Sequence, residues 1–484
     1  MPAAKDLDTE REPFSRWRPK YHVIAPRGWM NDPCAPGYDP KTQLYHIGFQ
    51  WNDRGNDWGN MCWGHAVSRD LVTWKVFEKP SLSPGEPYDH LGVFTGCLQP
   101  SNINGNPDGT ITCFYTSVSH LPINWKLKYT YGSETLSLAT STDSGRTWQK
   151  AAENPILPGP PASFEVTGWR DPFVATWPAL SAFLGARGKK DVLYGAISGG
   201  VVGKTPTVFI YSISCSDLRD WTYLGPLYNG GLNRKLSRWS GELGQNWEVT
   251  NFLSFPEENG DTMETLVISS QGLIPENHPH FLTVPSHSES RLERMQLWIS
   301  GRFKFVQDGS GADERVEMTY DFGGILDHGC YYAGNSFQDP LIGETVIFGW
   351  IPEDDLPDCL RHTQSWSGLL SLPRVLGVQK LRRVVRARAT DLKDITSIQA
   401  VSNGDNTFNV KTLRIRPHPS LAALRTDSRK HQLCRQKLPI PKQRDSDKSP
   451  FIPLKSSQWE MQCKLSMGAN CNRLGFEIGH SEGE

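Results

Sequence analysis

Ser68-Arg69-Asp70-Leu71-Val72-Thr73-Trp74 is echoed twice downstream, as Ser141-Thr142-Asp143-Ser144-Gly145-Arg146-Thr147-Trp148 and as Ser216-Asp217-Leu218-Arg219-Asp220-Trp221. Each stretch reads as a turn whose Asp or Ser side chain bonds the turn backbone, followed by a tryptophan that begins the next strand. Trp74 and Trp148 are 74 residues apart, Trp148 and Trp221 are 73 apart, and Trp298 lies 77 further on. A recurring unit of ~75 residues with several strands is longer than a WD40 blade, but it suits a four-stranded blade with long loops. The expected role of Trp74, Trp148, Trp221 and Trp298 is packing between blades.

A second series runs out of phase with the first. Asp32 lies in Trp29-Met30-Asn31-Asp32-Pro33, Asp171 in Gly168-Trp169-Arg170-Asp171-Pro172 and Glu248 in Asn246-Trp247-Glu248. Thr95 stands 76 residues before Asp171, Glu248 follows Asp171 by 77, and Tyr332 follows Glu248 by 84. These five positions, between residues 20 and about 373, predict an all-β chain with a five-bladed propeller. Equal phase places Asp32, Thr95, Asp171, Glu248 and Tyr332 around one ring on the innermost strands.

Two of the three acids precede proline. Proline biases the residue before it to extended geometry, and it is tolerated in a sheet mainly at an edge. The innermost strand of a blade is such an edge. An Asp held there is rigidly mounted and aimed at the channel. Three acids converging in a channel suit glycoside cleavage, which needs one carboxylate at the anomeric carbon and one acid at the leaving oxygen. Crowding would raise the pKa of at least one of them. There is no P-loop, no H-E-x-x-H and no nucleophile elbow at Ser198-Gly199-Gly200. His65 reads as a hydrogen-bonded strand residue. No motif calls for a metal or an organic cofactor.

The chain has 484 residues, with 51 Lys and Arg against 52 Asp and Glu, a formal charge of -1. That excludes a globally basic nucleic-acid binder. No apolar run approaches the ~18 residues of a membrane span. The first 22 residues are polar and lack the apolar core of a secretory signal. Ten cysteines are too sparse for a disulfide scaffold, and no N-x-[ST] acceptor occurs. Together these point to a reducing, cytoplasmic setting. One helix is expected near 419–427, with Ser420 as its N-cap.

At these motifs the sequence resembles glycoside hydrolase family 32, which holds the invertases, inulinases and fructosyltransferases. The resemblance covers the segment from Trp29 through Trp74, Gly92 to Cys97, Arg170-Asp171-Pro172, Trp247-Glu248, Tyr331 to Phe337, and residues 366–374. Residues 115–139 are most similar to the fungal branch with intracellular invertases and fructosyltransferases. The resemblance implies a retaining β-fructofuranosidase acting on sucrose and short fructo-oligosaccharides, with transfer to sugar acceptors. It implies Asp32 as nucleophile, Glu248 as acid/base and Asp171 as the group that stabilises the transition state. It also implies Asn31, Gln50, Trp58, Phe94, Thr95, Arg170 and Tyr332 as the fructose pocket and its rim.

The sequence departs from the family's pattern at Cys34-Ala35, where Asn-Gly is usual, and at Val249, where Cys is usual. The tail departs as well. The expected division is an extension over 1–19, the propeller over 20–374, and a linker with a shortened β-sandwich over 375–484. The open edges of that sandwich would be covered by the propeller or by the second chain of a homodimer. Two other readings stand beside this one: an inverting glycosidase of the arabinanase or xylosidase type, and an inactive propeller that only binds sugar.

Overall fold

The computed structural model describes residues 13–185, 188, 192–274, 294–307, 314–353, 358–388, 390–426, 459–462 and 464. The first blade consists of Gly28–Asp39, Leu44–Asn52, Cys62–Ser68 and Trp74–Val76, each antiparallel to the next. The second is Gly92–Gln99, Ile111–Val118, Glu134–Ser141 and Gln149–Lys150, and the third is Val166–Ala175, Val192–Val201, Thr205–Ser214 and Asp217–Pro226. The fourth is Asn246–Pro256, Thr262–Gln271, Arg294–Gly301 and Phe322–Ile325; a hairpin, Phe303–Gln307 with Glu314–Met318, precedes its outer strand. The fifth opens with Tyr332–Asp339 and Glu344–Ile351. Each inner strand packs against the next, and the fifth against the first, which closes a five-bladed propeller.

Most blade sheets are covered on both faces by neighbouring blades. Their strands therefore lose the one-face alternation of an exposed sheet. Ile111–Val118 is buried at every position, and Cys62–Ser68 at all but Val67. The turns form as their residue types require. Asp70 Oδ1 accepts from Val72 and Thr73 backbone N–H at 2.8 and 2.7 Å, and Asp143 Oδ1 accepts from Thr147 N–H at 3.0 Å.

Three of the four repeating tryptophans reach back to the preceding blade. Trp74 meets Phe348 edge-on at 6.0 Å, Trp148 meets His65 at 6.1 Å and Trp221 meets Phe114 at 5.4 Å. Trp298 is off phase. It lies on the third strand of its blade rather than at the outer strand, and its ring packs against Phe322 of the same blade. The inserted hairpin separates that blade's third and fourth strands, so the 77-residue spacing does not mark an equivalent position.

The boundary expected after residue 374 does not separate two sheets. Arg374–Val384 pairs with the fifth blade's second strand, Phe408–Pro417 pairs with Arg374–Val384, and Gln399–Ser402 forms the outer edge. The hydrogen-bonded sheet thus runs on to Pro417. Of the expected sandwich segment, 427–458, Cys463 and 465–484 lie outside the described residues, as does most of the 1–19 extension. Pro419–Arg425 is a 3-10 helix, capped by His418, whose imidazole accepts from Ser420 N–H at 3.2 Å. Ser420 is the first donor of the helix rather than its cap. Near the other end of the ring, Trp366–Ser367 pairs in parallel with Gly28–Trp29, and Leu370 N–H reaches Val23 O at 2.9 Å.

Candidate active site

All five inner strands break register at one level. The shifts fall between Met30 and Pro33, Val93 and Gly96, Arg170 and Phe173, Glu248 and Asn251, and Tyr332 and Asn335. A bulge re-aims the side chains beside it, and bulges gather near active sites. Asp32, Thr95, Asp171, Glu248 and Tyr332 each stand at or inside one of these breaks. The backbone is left-handed at Asp171, Val249 and Ala333, with φ of 62, 43 and 53°. For a β-branched residue such as Val249 this conformation is strained, at roughly 1–3 kcal/mol. Its N–H is thereby turned to donate to Asp171 Oδ2 at 3.2 Å.

Asp32 accepts from Thr95 Oγ1 at 2.6 Å, from Asn31 Nδ2 at 3.1 Å and, more weakly, from Gln50 Nε2 at 3.5 Å. Gln50 also donates to Thr95, and Trp29 Nε1 donates to Asn31 Oδ1 at 3.0 Å. Glu248 is held from two blades. Arg170 approaches its Oε1 through Nε at 3.0 Å and Nη2 at 2.9 Å, and Tyr332 donates its hydroxyl to Oε2 at 2.9 Å. Asp171 N–H donates to Thr116 Oγ1 at 2.8 Å.

The electrostatics follow from burial. Desolvation pushes the Asp32 carboxyl up to about 6, and the Glu248 charge adds to this. The bonds from Thr95 and Asn31 and the Arg294 cation pull it back. Burial also drives Asp171 well above the usual carboxylate range; the Arg170 charge opposes this, and Glu248 and Asp32 reinforce it. The three acids therefore titrate as one cluster that retains a proton well above the ordinary carboxylate range. Burial, with the Glu248 charge added, keeps the Tyr332 phenol protonated and hence a donor.

The rim is aromatic. Phe94 is buried, and Trp58, 50% exposed, meets its ring edge-on at 5.9 Å. The guanidinium of Arg294 lies over Tyr332 at 5.3 Å, and that of Arg361 lies over Trp29 at 5.3 Å. Among the described residues no group of three or more His, Cys, Asp or Glu side chains is placed to hold a metal, and no helix is long and apolar enough to cross a membrane.

The profile of the glycosyl hydrolases family 32 N-terminal domain matches residues 22–387. The chain belongs to glycosyl hydrolase family 32. It is 28% identical over 366 residues to the β-fructofuranosidase insoluble isoenzyme 2 of Oryza sativa subsp. indica, which covers 74% of this chain and 53% of that protein. The chain thus spans about half the length of the curated relatives it matches. Among solved structures, the Aspergillus kawachii β-fructofuranosidase superposes with a TM-score of 0.72 at 30% identity, over 85% of this chain and 67% of the other. The fructosyltransferase from A. japonicus gives a TM-score of 0.73 at 28% identity, over 87% of this chain and 71% of the other.

In this family 32 chain the ten residues singled out from sequence stand at one site. Asn31, Gln50 and Thr95 surround Asp32, Arg170 and Tyr332 hold Glu248, and Phe94 and Trp58 form the rim. Both departures from the family pattern are buried. Cys34 Sγ lies 3.5 Å from the Asp32 carbonyl, and Val249 packs with Trp29, Phe94 and Tyr332. Sequence reasoning missed Glu134, Thr116 and Arg294. Glu134 carried a signal: it is the lone carboxylate in the strand Glu134–Ser141, among small and apolar side chains.

Proposed function

We propose that this chain is a retaining β-fructofuranosidase that takes sucrose. Asp32 attacks the fructosyl anomeric carbon while Glu248 protonates the glycosidic oxygen, so glucose leaves and a fructosyl ester forms on Asp32. Glu248, now a carboxylate, takes a proton from water or a sugar hydroxyl, whose oxygen displaces Asp32. Asp171 accepts hydrogen bonds from fructosyl hydroxyls that strengthen as positive charge develops on the ring. The observation that carries this reading is the contrast between two mounts. Asp32 is fixed by three neutral donors, as suits a nucleophile. Glu248 is gripped by a cation and a phenol, as suits a group that gives up a proton and takes it back.

Two further points support the assignment. The curated relatives are named β-fructofuranosidases, and one solved relative is named a fructosyltransferase. The half-exposed Trp58 also offers an acceptor sugar an apolar face that water does not use. We therefore assign transfer to short fructo-oligosaccharides beside hydrolysis, with long fructans as poorer substrates. The buried free cysteines Cys34, Cys62, Cys97 and Cys113 accord with an intracellular setting.

Product profiling at high sucrose tests the reading. Glucose, a smaller amount of fructose, and oligomers are expected, with the anomeric configuration retained by NMR. Inverted product would move the chain to the arabinanase-like mechanism, and no turnover would leave a sugar-binding propeller.

A further inference from the structure

Arg170 has a carboxylate on each side. In front, it binds Glu248 Oε1 through Nε and Nη2. Behind, its Nη1 donates to Glu134 Oε1 at 2.8 Å, and the other Glu134 oxygen accepts Trp169 N–H at 2.8 Å. The Glu134 side chain is 0% exposed and that of Arg170 is 7%, so neither charge is screened by water. The fit is close: a Cβ at Gly168 would collide with Arg170 Nη1, so glycine is required there.

We propose, on the strength of the reaction assigned above, that Glu134 is a positioning residue. It fixes Arg170 from the second blade and balances its charge, so that Glu248 shares the cation instead of neutralising it alone. A carboxylate that had sole possession of a buried guanidinium would hold its charged form and release its hold on a proton too early. Glu134 prevents this and keeps Glu248 able to act as an acid. The groups facing this array are Tyr129, which lies within the Glu134 field; Asp171, beside Arg170; Tyr332, bonded to Glu248; and Asp32, across the site. None of these supplies a second cation beside Glu134 or Arg170.

The test is the pH profile of kcat/KM on sucrose for the full chain. Its alkaline limb reports the acid in the free enzyme. Glu134→Gln should move that limb to lower pH by about one unit, the usual effect of an opposite charge a few ångströms away. Glu134→Asp, which keeps the charge, should hold the limb in place while lowering kcat. An unmoved limb in Glu134→Gln, or an equal shift in Glu134→Asp, overturns the proposal. A readout independent of activity is the thermal unfolding of Glu134→Gln, Glu248→Gln and the double variant. If the two carboxylates share one cation, the double variant loses more Tm than the two single losses together; simple additivity overturns the proposal. A parent chain that releases no glucose from sucrose removes the assigned reaction, and the unfolding comparison still decides the role of Glu134.

Discussion

Thr95, on the inner strand of the second blade, donates its hydroxyl to Asp32 Oδ2 on the first blade at 2.6 Å. A bond to the charged form lowers a carboxyl pKa, and this one works against the burial that pushes Asp32 up to about 6. Thr95→Val keeps the shape and removes the bond. The acid limb of the kcat/KM profile, expected near pH 6 in the parent, should then move to higher pH by about half a unit to one unit.

Asp32→Asn separates catalysis from stability. Turnover should disappear, because the amide cannot form the fructosyl ester. Stability should rise, but only where the carboxyl would be ionised. The folded carboxyl titrates at about 6 against an ordinary 3.8, so its ionisation works against the fold. This penalty is absent below the ordinary value, grows between the two and is complete above about 6. Thermal unfolding should show a higher Tm for Asp32→Asn at pH 7.5 by ~2 °C or more, with the gain vanishing towards pH 4.

Glu248→Gln should lower kcat on sucrose by about 10²–10⁴-fold. The loss should shrink for a fructoside whose leaving group needs no proton. Equal losses on both substrates would place the proton transfer elsewhere.

Asp171→Asn should depress kcat more than it raises KM, since its bonds to the fructosyl hydroxyls tighten in the transition state. Steady-state kinetics on sucrose provide the check, and a change in KM alone would remove Asp171 from its assigned role.

Trp221→Ala should destabilise the chain by about 3 kcal/mol, because it empties the contact with Phe114 of the second blade and uncovers Gly195 beneath the ring. Denaturant unfolding measures this. Trp58→Ala should leave stability unchanged while lowering the ratio of transfer to hydrolysis, since its ring already faces solvent.

The propeller was legible because two periodicities, carried by different residues, agreed on a unit of about 75 residues. The turn-and-tryptophan series marks the outer strands, where an Asp or Ser side chain must close each turn. The acid series marks the inner strands, where a side chain can point at the axis. Both are local requirements that a residue type can announce. Trp298 misled because an inserted hairpin breaks the outer-strand rhythm, and nothing in the residue itself distinguishes a third strand from a fourth. The division at 374 misled for a related reason. Leu372-Pro373 ends a recognisable motif, yet the next strand pairs back on Glu344–Ile351, and pairing partners are not written in local sequence.

At the site, the Asp-Pro pairs and the Trp-Glu pair were visible because function constrains them in single short motifs. Glu134 was not. Its partner Arg170 is 36 residues away on another blade, and only the fold brings them together. The shared bulges were equally invisible, since they consist of pairing errors rather than residue types. Left-handed Asp171, Val249 and Ala333 could not be inferred, because none of these is a residue that prefers that conformation.

The parallel clasp between Gly28–Trp29 and Trp366–Ser367 sets an order of events for a chain emerging from the ribosome. Asp32 leaves the exit tunnel near the start of synthesis, but its blade keeps an open inner edge until more than 330 further residues have followed. During that interval the blades can form one at a time while the ring stays unjoined. The nucleophile is thus translated among the first of the reacting groups and enclosed among the last, so no partly made chain carries a finished catalytic centre.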